Sequence, residues 1–123
     1  MQFDFSTPTD FTGLNYAIVT GFVKKRKGLN MTITGIAVLH LLIENTVEKF
    51  PGSSEVVTSE IEVVVWGDLA TKMDKKLSEG VLLLIEGTLS HKKSKDRAGG
   101  EYFKTLLKAR RISLMQKSKE RKA

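Results

Sequence analysis

Residues 59–89, SEIEVVVWGDLATKMDKKLSEGVLLLIEGTL, constrain the fold more than any other stretch of the chain. They read as strand, helix, strand. Residues 61–66 form a β-branched run ending in an aromatic, a composition suited to a pleated, half-buried surface. Gly67 stops the run. Asp68 is expected as the helix N-cap, its carboxylate accepting orphan backbone N–H groups. Leu69, Met73 and Leu77 recur every fourth residue and give the helix one apolar stripe. Gly80 is expected at the C′ position, where a left-handed glycine ends a helix without steric penalty. Residues 81–89 resume as an apolar strand, too short to cross a bilayer as a helix.

Three more strands follow from alternation. Residues 14–23 place Leu14, Tyr16, Ile18 and Phe22 on one face and Ala17, Val19 and Val23 on the other. Both faces are partly apolar, which fits burial on one side and a covering partner on the other. Residues 36–44 send Ala37, Leu39, Leu41 and Ile43 inward and Val38, His40, Leu42 and Glu44 outward. In residues 61–66, Ile61, Val63 and Val65 point inward, so Glu60, Glu62, Val64 and Trp66 share the opposite face. Residues 102–114 carry Lys104, Lys108 and Arg110 on one side and Phe103, Thr105, Leu107 and Ala109 on the other. Glycines and turn residues set the connections. Residues 24–35 are a turn and a short polar extension, residues 45–58 a loop turning at Pro51-Gly52, and residues 90–100 a mobile basic arm.

Charge is uneven along the chain. Residues 1–90 hold 8 Lys/Arg against 11 Asp/Glu, whereas residues 91–123 hold 12 against 3. A second basic cluster, Lys24-Lys25-Arg26-Lys27, sits in the acidic part. Basic clusters beside a near-neutral core point to a polyanion partner. The competing reading is that these lysines solvate loops and guard an edge strand. The chain has no cysteine, so no disulfide or thiolate metal site is available. His40 reads as a surface or interface residue, with no partner at metal-ligand spacing. No nucleophile elbow, HExxH or phosphate-binding Gly-rich loop is present, so neither enzyme chemistry, metal nor cofactor is expected. The first residues lack a basic segment followed by an apolar one, and a cytoplasmic location is expected.

Taken together, four motifs resemble bacterial single-stranded-DNA-binding proteins. EVVVWGDLATKMDKKLSEGVLLLIEGTL is similar to that family's core, LNYAIVTGFV to its first strand, and KDRAGGEYF to the loop before its last strand. The resemblance covers roughly residues 14–114. It implies an all-β OB-fold, a five-stranded Greek-key barrel with one short α-helix between strands 3 and 4. The expected organisation is an arm over residues 1–13, a binding domain over 14–115 and a basic tail over 116–123.

The resemblance also assigns a binding face. Trp66 stands where the family has a base-stacking aromatic; a subunit-interface role is the alternative. Phe50 either stacks on a base or anchors its hairpin. Phe103 matches a surface tyrosine of the family, yet alternation turns it inward; either a bulge exposes it or it is core. Lys24, Lys25, Arg26, Lys92, Lys93, Lys95, Arg97 and Lys104 are the expected phosphate contacts. Glu60 and Ser94 stand where the family has further stacking tryptophans, and residues 116–123 carry Lys117, Lys119, Arg121 and Lys122 rather than the family's acidic, aromatic-ended tip. Recruitment of replication or repair proteins through such a tail is therefore in doubt. The expected function is sequence-tolerant single-stranded DNA binding by a dimer or tetramer, in replication, recombination or repair. Two alternatives stay open: a primosomal replication-restart relative that binds mainly through lysines, and an RNA-binding OB-fold.

Overall fold

Apolar residues at every second position fix which side of each strand faces the core, and the computed structural model of the chain describes residues 12–116. The elements run β1 (Ala17–Arg26), β2 (Asn30–Met31), β3 (Ala37–Glu48), β4 (Val56–Trp66), α1 (Asp68–Met73), a 3₁₀ turn (Asp74–Lys76), β5 (Leu82–Lys95) and β6 (Glu101–Gln116). The sheet order is β1-β5-β6-β4-β3-β2, and β1 also pairs with β3. The five long strands thus close into a barrel, with the short helix between β4 and β5, in agreement with an OB-fold. All pairings are antiparallel except β4 with β6, which run parallel through Val63–Leu107 and Val64–Lys108.

The inward set is as alternation requires. Leu39, Ile43, Val63, Val65, Leu83, Ile85 and Leu107 fill the barrel. The helix closes one end of it: Ala70, Met73 and Leu77 are buried against this core, with Leu69 packed at its margin. Gly21 and Gly87 mark close strand approaches. A Cβ on Gly87 would lie 2.0 Å from the Lys108 carbonyl oxygen, at a bulge between β5 and β6. Among the described residues, no helix is long and apolar enough to cross a membrane.

Several local expectations need correction. Gly67, not Asp68, is the helix N-cap; its φ of 72° makes the turn, and no side chain caps the helix. Gly80 does have positive φ, but it lies in a turn beyond Leu77, donating its N–H to the Val23 carbonyl. The first strand runs from Ala17 to Arg26 rather than over residues 14–23, so Lys24 to Arg26 belong to the strand, across a bulge, and not to a turn. The loops over residues 45–58 and 90–100 are both hairpins. Thr46–Thr58 and Val47–Val57 still pair, turning near Pro51-Gly52, and β5 and β6 pair out to Lys95–Glu101. The basic segment is thus an ordered ribbon, its tip closed by Asp96, which accepts N–H groups from Ala98 and Gly100. Phe103 is not core. It keeps inward parity but lies on the ribbon, away from the buried core, and is 67% exposed. The register shifts on β6 fall farther along, opposite Gly87 and Leu83, so no bulge explains its exposure. The basic tail and the aromatics Phe3, Phe5 and Phe11 lie outside the described residues.

Candidate nucleic-acid interface

The outward faces of β3, β4 and β6 form one surface, because cross-strand partners point the same way. His40 pairs with Val64, Leu42 with Glu62, and Val38 with Trp66. Val38, Val64 and Leu106 gather into a small apolar cluster of their own on this outer side. Beside it a cleft of about 360 Å³ opens. The end of β1 brings Lys25 and Arg26 to it, and Lys27 follows directly. His40 and Leu42 come from β3, Glu62 from β4, Lys92 from β5 and Lys104 from β6. Five cations and an imidazole therefore surround a single carboxylate.

These cations are not equivalent. Arg26 is engaged by Asp74 through both carboxylate and carbonyl, and reaches the Leu77 carbonyl at 3.4 Å, tying β1 to the helix end. Lys104 Nζ lies 2.6 Å from Glu62 Oε2, and this bond holds the Lys104 pKa above the usual lysine value. Among the described residues, Lys25, Lys27 and Lys92 take no ion pair. His40 is half-buried. Burial pushes its pKa below the ordinary histidine value, and the charges of Lys92 and Lys27 push the same way, against a smaller opposing effect of Glu62. Its ring is therefore neutral near pH 7.

The structure gathers four of the expected phosphate contacts, Lys25, Arg26, Lys92 and Lys104, around one cleft. It places the others apart. Lys24 is paired with Glu60 and lies 3.8 Å from Glu44; the bond to Glu60 raises its pKa and lowers that of Glu60. Lys93 pairs with Glu101 at 3.2 Å, Lys95 stands at the last rung of the ribbon, and Arg97 is in its tip. Trp66 is 41% exposed on the outward face at the end of β4. Phe50 is exposed in the β3–β4 turn, its carbonyl accepting from Ser53. Phe103 sits against His91, ring centres 5.9 Å apart and tilted by 59°.

Sequence reasoning missed Lys27, His40 and Glu62 as members of this cleft. Alternation did turn His40 and Glu62 outward. What joins them is the β3–β4 register, which no local pattern shows. Chemically, the site offers cations and π-faces for a polyanion with aromatic bases. Among the described residues, no group of His, Asp or Glu could hold a metal ion.

No curated protein matches the sequence. The sequence model of the single-strand binding protein family, however, matches residues 14–115, a span that takes in all five barrel strands but for the last residue of β6. Barrel and sequence match agree, and the chain belongs to the single-strand binding protein family.

Proposed function

We propose that this protein binds single-stranded DNA without strong sequence preference, laying it across the outward face of β3, β4 and β6. The observation that carries this is the cleft in which, among the described residues, Lys25, Lys27 and Lys92 stand without ion pairs beside a surface that exposes Trp66. OB-folds use the corresponding face for oligonucleotides, and family membership supports the same ligand. Phosphates lie on the lysines and bases turn toward Trp66, a mode tolerant of sequence because every base has a π-face. The activity is binding rather than catalysis, in replication, recombination or repair. Because the cleft is lined by lysines and the aromatics lie off it, lysine-led binding, as in the primosomal replication-restart relative, is the second reading.

A titration with oligothymidine of increasing length, followed by Trp66 fluorescence, tests the proposal. Matched RNA and duplex DNA serve as competitors. Saturable quenching by the single strand is expected, and the logarithm of affinity should fall linearly with the logarithm of salt, at about −0.7 per phosphate contact. Lys92→Ala should make this slope shallower by about one contact for all sequences alike. Tighter binding of duplex than of single strand would overturn the assignment.

We also propose a homo-oligomer, dimer or tetramer. Leu14 is 94% and Ile18 55% exposed, with Tyr16 beside them. Tyr16 spends its hydroxyl on Glu86, donating at 2.6 Å, and leaves its ring uncovered. Val38 and Val64, outward by alternation, do not add to that surface, because they are already buried with Leu106 in one subunit.

A further inference from the structure

Among the described residues, Glu62 is the only carboxylate lining the lysine cleft, and it is committed. Its Oε2 lies 2.6 Å from Lys104 Nζ, across the gap between β4 and β6. The two strands pair only at Val63–Leu107 and Val64–Lys108, so this ion pair stands beyond the paired stretch. Both side chains keep partial access to solvent, 37% for Glu62 and 41% for Lys104. Lys25 and Lys27 also line the cleft, as does Lys92, the cross-strand neighbour of Lys104, with neutral His40 among the lining groups.

We propose that Glu62 limits how many phosphates the groove takes, by occupying Lys104 and keeping it out of the set of phosphate contacts. The proposal rests on the reading that single strands lie on this face. A phosphate close enough to accept from Lys104 would sit beside the Glu62 carboxylate, and like charges at that distance repel. A phosphate on Lys25, Lys27 or Lys92 meets no carboxylate already bound to those lysines. The strand backbone is therefore left to Lys25, Lys27 and Lys92, which no carboxylate engages among the described residues. The raised pKa of Lys104 agrees with a lysine satisfied inside the protein. Glu62 thus takes one lysine out of the groove's phosphate contacts.

The test uses the full chain and oligothymidine, with salt slopes measured for the parent, Glu62→Gln, Lys104→Gln and the double variant. Glu62→Gln releases Lys104 and removes the repulsion. Binding should tighten about two- to five-fold, the weight of one exposed ion pair. The salt slope should steepen by about 0.7, one added phosphate contact. Lys104→Gln alone should leave the slope unchanged, and in the double variant the added slope should vanish. A shallower slope for Lys104→Gln, or unchanged or weaker binding by Glu62→Gln, would overturn the proposal. Lys25→Gln and Lys92→Gln separate this from failure of the binding face itself. If they weaken binding while Glu62→Gln has no effect, only the role of Glu62 fails. If they too change nothing, the strand does not use this face. Both residues of the pair are partly exposed, so melting temperatures should match the parent, and a large drop would show a structural role instead.

Discussion

Trp66 can do one of two things, and the two leave opposite traces. Its ring is on the outward face and fills no core cavity. If it stacks on a base, Trp66→Ala should cost about 1–3 kcal/mol of binding and little folding stability. Trp66→Phe should recover much of the affinity, because a π-face remains. An interface role would instead show as loss of the oligomer and a lower melting temperature. Fluorescence titration beside thermal melting separates them. His40 makes a second prediction at this scale. Its folded pKa lies below the ordinary 6.5, first through burial and then through Lys92 and Lys27, opposed by Glu62. The unfolded chain therefore binds the proton more readily than the folded one. The contribution of His40 to stability is complete above pH 6.5 and is lost as pH falls from there through the lower folded pKa. His40→Gln should flatten this part of the pH profile of urea denaturation. A phosphate beside the ring raises the pKa again, so binding should strengthen over the same acid window in the parent and not in His40→Gln.

At the scale of elements, β5 and β6 are held by a close approach as well as by their ladder. The Lys108 carbonyl oxygen occupies the space a Cβ on Gly87 would need. Because the obstacle is backbone, Gly87→Ala should cost about 3 kcal/mol or more, beyond ordinary overpacking, read as a lower denaturation midpoint at unchanged slope. The same strands show what the sequence made legible and what it did not. Leu107 announces itself by alternation along the last strand, with Thr105 and Ala109 on its side and Lys104, Lys108 and Arg110 on the other, whereas Leu83 and Ile85 lie in a continuous apolar run that marks a strand without marking its inward face. Lys92 to Lys95 carry no such signal. They pair outside the core, where nothing selects apolar residues, so an ordered ribbon looked like a loop. The helix stripe of Leu69, Met73 and Leu77 was readable for the same reason as the strands. Its cap was not, since Asp68 has the right side chain and Gly67 the right backbone conformation. The cleft was half visible. Lys25, Arg26, Lys92 and Lys104 stood out by charge, as did Lys27 within the same basic cluster, whereas His40 and Glu62 join them only through register.

For the whole molecule, the exposed side of β1 predicts assembly. Light scattering should give a mass that is a multiple of 13.7 kDa. Ile18→Lys should reduce that mass at unchanged fold, because Ile18 is 55% exposed and its loss opens no cavity. A monomeric parent at all concentrations would count against this.

The barrel is closed by unequal joints. β3 and β4 pair along nearly their full length, but β4 meets β6 over only two residue pairs. Local opening follows the least-bonded boundary, so amide hydrogen exchange should be fastest, among the core strands, at the rungs formed by Val63, Val64, Leu107 and Lys108. The proposed binding face crosses that seam. A single strand lying over it acts as a stitch, and its binding should slow exchange there more than in the β3–β4 ladder, making DNA a part of what keeps this barrel shut.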